Sequence, residues 1–311
     1  MTMTRRTFIA AGAAGAAGLG LAAVGRAGSG GDGGGEAMAT RPIPKGRGER
    51  VPVVGLGTWR TFDVGTSDAA RAPCLEVLRR FLAAGGRVVD SSPMYGEAER
   101  VAGDLLAKLA PRPPPFLATK VWTRGRVAGE AQMRESLRRF RVEALDLMQV
   151  HNLLDWQEHL PAMRAWKAAG RLRHLGVTHY ATSAFPELER LLRTESLDFV
   201  QLPYSAATRE AEARLLPAAA ETGTAVLVMR PFEEGELFAA VKGKALPRWA
   251  PELGAASWSQ IFLKFILSHP AVTAVIPATA NPDHVAENVK AGFGPMPNDA
   301  LRRRMARDLR F

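Results

Sequence analysis

Three short apolar runs in the middle of the sequence each stop on a titratable residue. Val88-Val89 stops on Asp90, and Tyr95 follows a Ser91-Ser92-Pro93 turn. Phe116-Leu-Ala-Thr stops on Lys120, and Leu145-Asp-Leu-Met-Gln-Val stops on His151. A buried lysine needs a partner, and Asp90 is the obvious one. An ammonium beside Tyr95 favours the phenolate and is expected to lower a pKa that is otherwise about 10. His151 can donate a hydrogen bond to a carbonyl oxygen that gathers negative charge. Together the four fit proton delivery to a carbonyl, with Tyr95 as general acid, while hydride arrives from elsewhere. Singly, each has an ordinary structural reading: Asp90 as a helix cap, Tyr95 as a packed ring, His151 as a strand-end histidine. The same kind of ending on three consecutive strands makes the set specific.

The elements that must carry these residues alternate. The patterning predicts strands at Val53–Gly57, Arg87–Asp90, Phe116–Val121, Ala144–His151, Leu172–Thr178, Leu197–Leu202, Thr224–Met229 and Val272–Pro277. Between and after them it predicts helices at Arg71–Ala84, Gly96–Leu109, Gly129–Phe140, Gln157–Ala169, Ala184–Arg193, Arg209–Glu221, Ala255–Ser268 and Pro282–Ala291. A small hairpin spanning residues 39–52 leads into the first strand. Strands such as Ala225-Val-Leu-Val-Met229 are continuously apolar, as in parallel sheets covered on both faces. This is the pattern of an α/β (β/α)8 TIM barrel in a single domain. A doubly wound open sheet is the competitor, but Gly55-Leu-Gly-Thr-Trp-Arg lacks the dinucleotide fingerprint G-x-G-x-x-G. In a barrel the carboxyl ends of the strands form the rim where sites are built.

The first residues read differently from the rest. Thr4-Arg5-Arg6-Thr7-Phe8-Ile9 precedes a weakly apolar Ala/Gly/Leu run, Ala10 to Val24, and a small-residue end at Gly25-Arg26-Ala27. This is the layout of an export signal, and its paired arginines resemble a twin-arginine (Tat) signal. Residues 1–27 are therefore expected to be a leader that engages the Tat machinery, giving a periplasmic or otherwise exported protein. A retained tail is the other reading. The run is too weakly hydrophobic for a stable membrane span. Residues 28–36 form a Gly-rich linker, and the barrel is expected over 37–311. The single cysteine, Cys74, excludes an intrachain disulfide framework and reads as a buried small apolar side chain. The net charge of +10 invites a nucleic-acid partner. Part of that charge lies in the leader, and the C-terminal arginines read better as a solvated helix, so no nucleic-acid partner is expected.

Gly55-Leu-Gly-Thr-Trp59, Asp90-Ser-Ser-Pro-Met-Tyr95, Ala118-Thr-Lys120, Val150-His151 and Ile276-Pro277 with Glu287-Asn288 resemble the motifs of the aldo-keto reductases in order and spacing, over about Arg41 to Gly292. The resemblance implies a catalytic tetrad of Asp90, Tyr95, Lys120 and His151. It implies reversible reduction of a small aldehyde or ketone by NADPH, without metal, in a monomer or weak oligomer. For the cofactor, Thr178 and His179 stand where the family usually holds the nicotinamide carboxamide with Ser-Asn, and Gln201 supplies a third contact. Met229 replaces the aromatic that stacks on the nicotinamide. Arg230 reads as a pyrophosphate contact or as a buried structural arginine, the former being favoured. Thr279, Asn281, Glu287 and Asn288 correspond to the adenosine end. His284 aligns with the usual arginine for the 2′-phosphate and Ala278 with a frequent lysine. A neutral imidazole holds phosphate more weakly than a guanidinium, so NADP is the default and NAD tolerance is a further expectation. Trp59, Met94, Trp122 and Trp156 are expected to line the substrate pocket. Two other functions fit the same residues: an alcohol or sugar dehydrogenase running the reaction backwards, and a non-catalytic NADP(H)-binding regulatory or scaffold barrel.

Overall fold

The computed structural model describes residues 37–309. The expected leader (1–27) and the linker (28–36) lie outside the described residues. An antiparallel hairpin comes first, β1 (Thr40–Pro42) paired with β2 (Arg50–Pro52). Eight parallel strands follow: β3 (Leu56–Gly57), β4 (Val88–Asp90), β5 (Phe116–Val121), β6 (Leu145–His151), β7 (Leu172–Thr178), β8 (Phe199–Pro203), β9 (Ala225–Met229) and β10 (Val272–Val275). Each pairs with its sequence neighbour, and parallel bridges from Val54 to Val275 and from Gly57 to Ala278 close the ring. A Cβ on Gly57 would come within 2.9 Å of the Ile276 carbonyl, so the seam closes only where a glycine allows it.

The outer helices are α1 (Asp68–Ala83), α2 (Ala98–Leu109), α3 (Arg126–Phe140), α4 (Trp156–Ala168), α5 (Phe185–Thr194), α6 (Leu215–Glu221), α7 (Glu236–Ala240), α8 (Trp258–Leu267), α9 (Pro282–Val289) and α10 (Asp299–Asp308). Side-chain caps set several of their starts. Ser67 accepts from the Ala70 amide, Ser257 from Gln260, and Asn281, just ahead of Pro282, from Asp283. The Ser67 cap starts α1 three residues before the expected Arg71. The helix expected from Arg209 breaks instead into a 3-10 turn, Glu210–Glu212, and the shorter α6. The first strand is shorter than expected, because only Leu56 and Gly57 keep regular pairing with β4. The segment between β9 and α8, unassigned from sequence, holds two 3-10 turns and α7.

Apolar side chains fill two spaces. Strand residues such as Val89, Leu117, Met148, Val150 and Val200 face the helices. Val88, Phe116, Ala118, Leu147, Phe199, Ala225, Leu227 and Ala274 fill the barrel interior, and Ile43 and Val51 of the hairpin pack against them. The hairpin thereby seals the amino-end mouth of the barrel. Within the outer layer, Glu99 of α2 is fully buried, accepts from Thr119 Oγ1 at 2.6 Å and Ser136 Oγ at 2.8 Å, and has Arg139 Nη1 at 3.7 Å from its other oxygen. Burial outweighs those hydrogen bonds and pushes its carboxyl above the ordinary range.

Candidate active site

Side chains alternate along a strand, so parity decides which residues meet inside the barrel. On β4 the interior positions are Val88 and Asp90. On β5 they are Phe116, Ala118 and Lys120, and on β6 Leu147, Gln149 and His151. The apolar members form the floor and the polar ones the rim.

Lys120 is wholly buried and sits at the centre of the polar set. Its Nζ donates to Asp90 Oδ2 at 2.6 Å and to the Ser91 carbonyl at 2.7 Å. Its third contact is the Tyr95 hydroxyl, and the ammonium lies 5.1 Å from the centroid of that ring. Asp90 is held from its other side by Gln201 Nε2 at 2.9 Å and Gln149 Nε2 at 3.3 Å, both on Oδ1. Opposite charges and the hydroxyl outweigh burial and hold the Lys120 ammonium above its ordinary pKa. The expectation for Tyr95 is corrected. Lys120 does pull its pKa down, but removal from water pushes it up by more, and the phenol sits above its ordinary value. A phenol in that state stays protonated at neutral pH, as a proton donor must.

His151 meets Tyr95 edge-on, with ring centroids 5.9 Å apart and planes at 87°. Its Nδ1 is 3.0 Å from Ser92 Oγ, a hydroxyl that also accepts from the Met94 amide at 3.2 Å. Burial, with Lys120 and His179 nearby, drives the imidazole pKa down to about 3, so the ring is neutral in ordinary buffers. The turn beyond it is strained: Asn152, Leu153 and Asp155 have φ of 52°, 56° and 54°. Asp155 Oδ2 braces that turn by accepting from the Gly125 amide at 2.6 Å.

A cavity of about 1160 Å³ opens over this rim. Its walls include Asp90, Tyr95 and His151 at the polar centre, and Trp59 and Met94 beside them. Met229 and Arg230 line it as well, together with Thr279, His284, Glu287 and Asn288. Besides the buried Lys120, five expected residues stand outside the lining, and one of them, Thr178, is wholly buried at the end of β7. Trp156 packs beneath Arg190, whose guanidinium lies 5.3 Å from the ring centroid, and is not part of the wall. Trp122 stands outside the lining with its ring 6.3 Å from His151, its backbone fixed by the Gln132 amide. Asn281 spends its side chain on the α9 cap. His179 stacks at 11° on Tyr180, which lines the cavity in its place.

Arg230 pairs with Glu234 at 3.0 Å, and Glu234 also reaches Arg60 at 3.2 Å across the cavity mouth. Gln201 has both ends engaged, one by Asp90 and the other by Thr178 Oγ1 at 3.3 Å. Ser92, Gln149, Tyr180 and Phe238 are site residues that sequence reasoning missed. Period-two parity on Leu147-Met-Gln-Val-His151 would have placed Gln149 inward beside His151; no comparable signal marks the others.

The cavity has the size and chemistry for an extended dinucleotide. It is larger than a small carbonyl compound needs, and its wall runs from the proton-bearing rim to the first turns of α9, whose free amides suit an anionic phosphate. The α9 end carries His284 and Glu287 and no lysine or arginine in its wall. The nearby Arg80 is committed to Asp283 at 2.8 Å and to the Pro282 carbonyl at 3.2 Å.

Residues 53–303 match the profile of the aldo/keto reductase family. Methylglyoxal reductase YeaE of Escherichia coli (strain K12) is 29% identical over 245 residues, covering 76% of this chain and 84% of that protein. An aldo/keto reductase of Klebsiella pneumoniae, solved in complex with NADP and acetate, is 27% identical with a TM-score of 0.72 over 85% of this chain and 93% of that one. A structure of an aldo-keto reductase from Klebsiella pneumoniae in complex with NADPH is 26% identical, also at 0.72, over 88% and 96%.

Proposed function

The chain belongs to the aldo/keto reductase family, and on that premise we propose that it reduces aldehydes or ketones to alcohols with NADP(H), Tyr95 acting as general acid. The observation that carries the proposal is the buried Lys120 ammonium joining Asp90 to Tyr95 in the wall of a dinucleotide-sized cavity.

A bound reduced nicotinamide would supply the hydride for the carbonyl carbon. The chain's own residues do the rest. His151 lies beside Tyr95 and donates a hydrogen bond to the carbonyl oxygen, which orients it and stabilises the negative charge that gathers there. Tyr95 hands its proton to that oxygen. Lys120 then stabilises the phenolate left behind, and the two glutamines keep Asp90 aimed at Lys120. Trp59, Met94 and Tyr180 shield the reacting centre from water. Thr279, Glu287, Asn288 and the first turns of α9 would hold the adenosine end, with Arg230 and Met229 nearer the rim.

Tyr95→Phe tests the assignment. NADPH oxidation with a panel of aldehydes should fall by roughly 10²- to 10⁴-fold, while NADPH binding, followed by fluorescence, stays near the parent value. Loss of binding instead would make Tyr95 structural, and tight binding without turnover of any carbonyl in the parent protein would favour a non-catalytic barrel. The name of the Escherichia coli relative, methylglyoxal reductase, makes a small dicarbonyl the first substrate to try. Two finer parts belong to the same reading. His284 at the adenosine end supports NADH as an accepted alternative to NADPH. Residues 1–27, read as a twin-arginine leader ahead of the 28–36 linker, support export; replacing Arg5 and Arg6 by lysine should keep the protein in the cytoplasmic fraction, and undiminished export would refute it.

A further inference from the structure

The Ser92 hydroxyl is a buried group that the proton-transfer scheme leaves without a role. It is fully buried in the turn between β4 and α2, and its neighbours account for its hydrogen-bonding capacity. The Met94 amide donates to Oγ at 3.2 Å, taking one lone pair. The hydroxyl proton then needs an acceptor. Among the described contacts of Oγ the only one is His151 Nδ1, at 3.0 Å. Were Nδ1 to carry the imidazole proton, Oγ would face two donors and its own proton would be buried without a partner, the arrangement that folded proteins avoid. The neutral ring resolves this in one way: Nδ1 bare and accepting, Nε2 protonated.

We infer that Ser92 is a positioning residue for His151, holding its ring in the orientation and tautomer that present an N–H from Nε2 to the substrate oxygen. The inference rests on the reading of His151 as the donor to that oxygen. Two further features agree with it. Nε2 has no protein partner among the described contacts, and His151 lines the cavity. The same hydroxyl fixes the amide of Met94, itself a wall residue, so one buried group sets both the donor and the surface beside it.

The test compares the NADP-loaded parent with Ser92→Ala, and with Ser92→Cys as a similar-sized variant carrying a weak donor. Imidazole ¹⁵N spectra, with His151 assigned by its absence in His151→Asn, should show in the parent an unprotonated Nδ1 and an N–H at Nε2. In Ser92→Ala the two nitrogen shifts should move toward each other, with Ser92→Cys in between. Steady-state kinetics should show kcat down roughly 5- to 20-fold, as for loss of one orienting hydrogen bond, with KM and NADPH affinity within about twofold. A proton on Nδ1 in the parent, an unchanged ¹⁵N pattern in Ser92→Ala, or unchanged kcat would overturn it. Should the parent turn over no carbonyl at all, the ¹⁵N comparison still decides the role of Ser92, so failure of the enzymatic reading and failure of this one stay distinguishable.

Discussion

Removing the Lys120 ammonium should cost stability for a reason separable from catalysis. In Lys120→Met the carboxylate of Asp90, 3% exposed, keeps only the amides of Gln201 at 2.9 Å and Gln149 at 3.3 Å. A buried ion deprived of its partner costs about 3–5 kcal/mol, a large part of the ~5–15 kcal/mol that holds a domain together. At about 2–4 °C per kcal/mol for a domain of this size, the melting temperature should fall by roughly 6–20 °C. Replacing Asp90 by Asn in the same chain removes the stranded charge. What remains unpaired is the Ser91 carbonyl, which now takes the Lys120 proton at 2.7 Å, a loss of about 1–3 kcal/mol. The double variant Asp90→Asn/Lys120→Met should therefore be more stable than Lys120→Met alone, while both remain inactive. Urea and thermal denaturation at pH 7, alongside NADPH turnover, measure the two effects. If Lys120→Met lies within about 1 kcal/mol of the parent, or if the double variant is as unstable as the sum of the single ones, the ion pair is not the buried, coupled unit argued here.

Three other outcomes follow from the same geometry. Burial holds the Glu99 carboxyl above its ordinary pKa, so the folded chain binds its proton where the unfolded chain does not, and stability falls as pH rises past about 4.3. Glu99→Gln should thus melt about 2–4 °C higher at pH 7.5, with the gain vanishing near pH 4; a lower melting point at pH 7.5 would contradict it. His151, held down to about 3, should show no NMR titration between pH 8 and 4.5. The unfolded chain takes up that proton near pH 6.5, so His151 contributes stability that declines as pH drops below about 6.5, and a midpoint near 6 in the folded protein would refute burial as the cause. His284→Arg places a guanidinium at the α9 end and should tighten NADPH about tenfold with NADH unchanged, as read by fluorescence titration; equal tightening of both would place His284 away from the 2′-phosphate.

Strand alternation and the strand-end residues were readable from the sequence because both rest on local chemistry. A continuous apolar run marks a doubly covered strand, and the polar residue that ends it marks the rim. The same reasoning failed where an outcome depended on competition between distant groups. An ammonium beside Tyr95 was foreseeable; that burial would outweigh it depended on the whole wall. Trp156 follows a strand end as Trp59 and Trp122 do, yet its ring packs against the outer core with Arg190 of α5 laid over it, a placement that depends on α5 as much as on Trp156 itself. His179 occupies a carboxamide-contact position in sequence but stacks on Tyr180. Ser92 reads as an ordinary turn serine until β6 brings His151 to within 3.0 Å of it.

The plugged floor of the barrel constrains how protons travel. Below Lys120 and Asp90 lie Phe116, Ala118, Val88 and Leu147, closed off by Ile43 and Val51; the titratable side chain of that floor, His174, packs on Phe116 and Phe199 and turns its Nε2 to Glu49 at 2.9 Å. Lys120 is committed to Asp90, to the Ser91 carbonyl and to Tyr95. In the proposed scheme a spent Tyr95 phenolate would be recharged from the side on which the carbonyl compound enters, where Tyr95 lines the cavity. On that scheme, departure of the alcohol and reprotonation of Tyr95 would share one doorway, so a compound that lingers there would delay the next cycle twice over: by occupying the site and by keeping solvent from the ring.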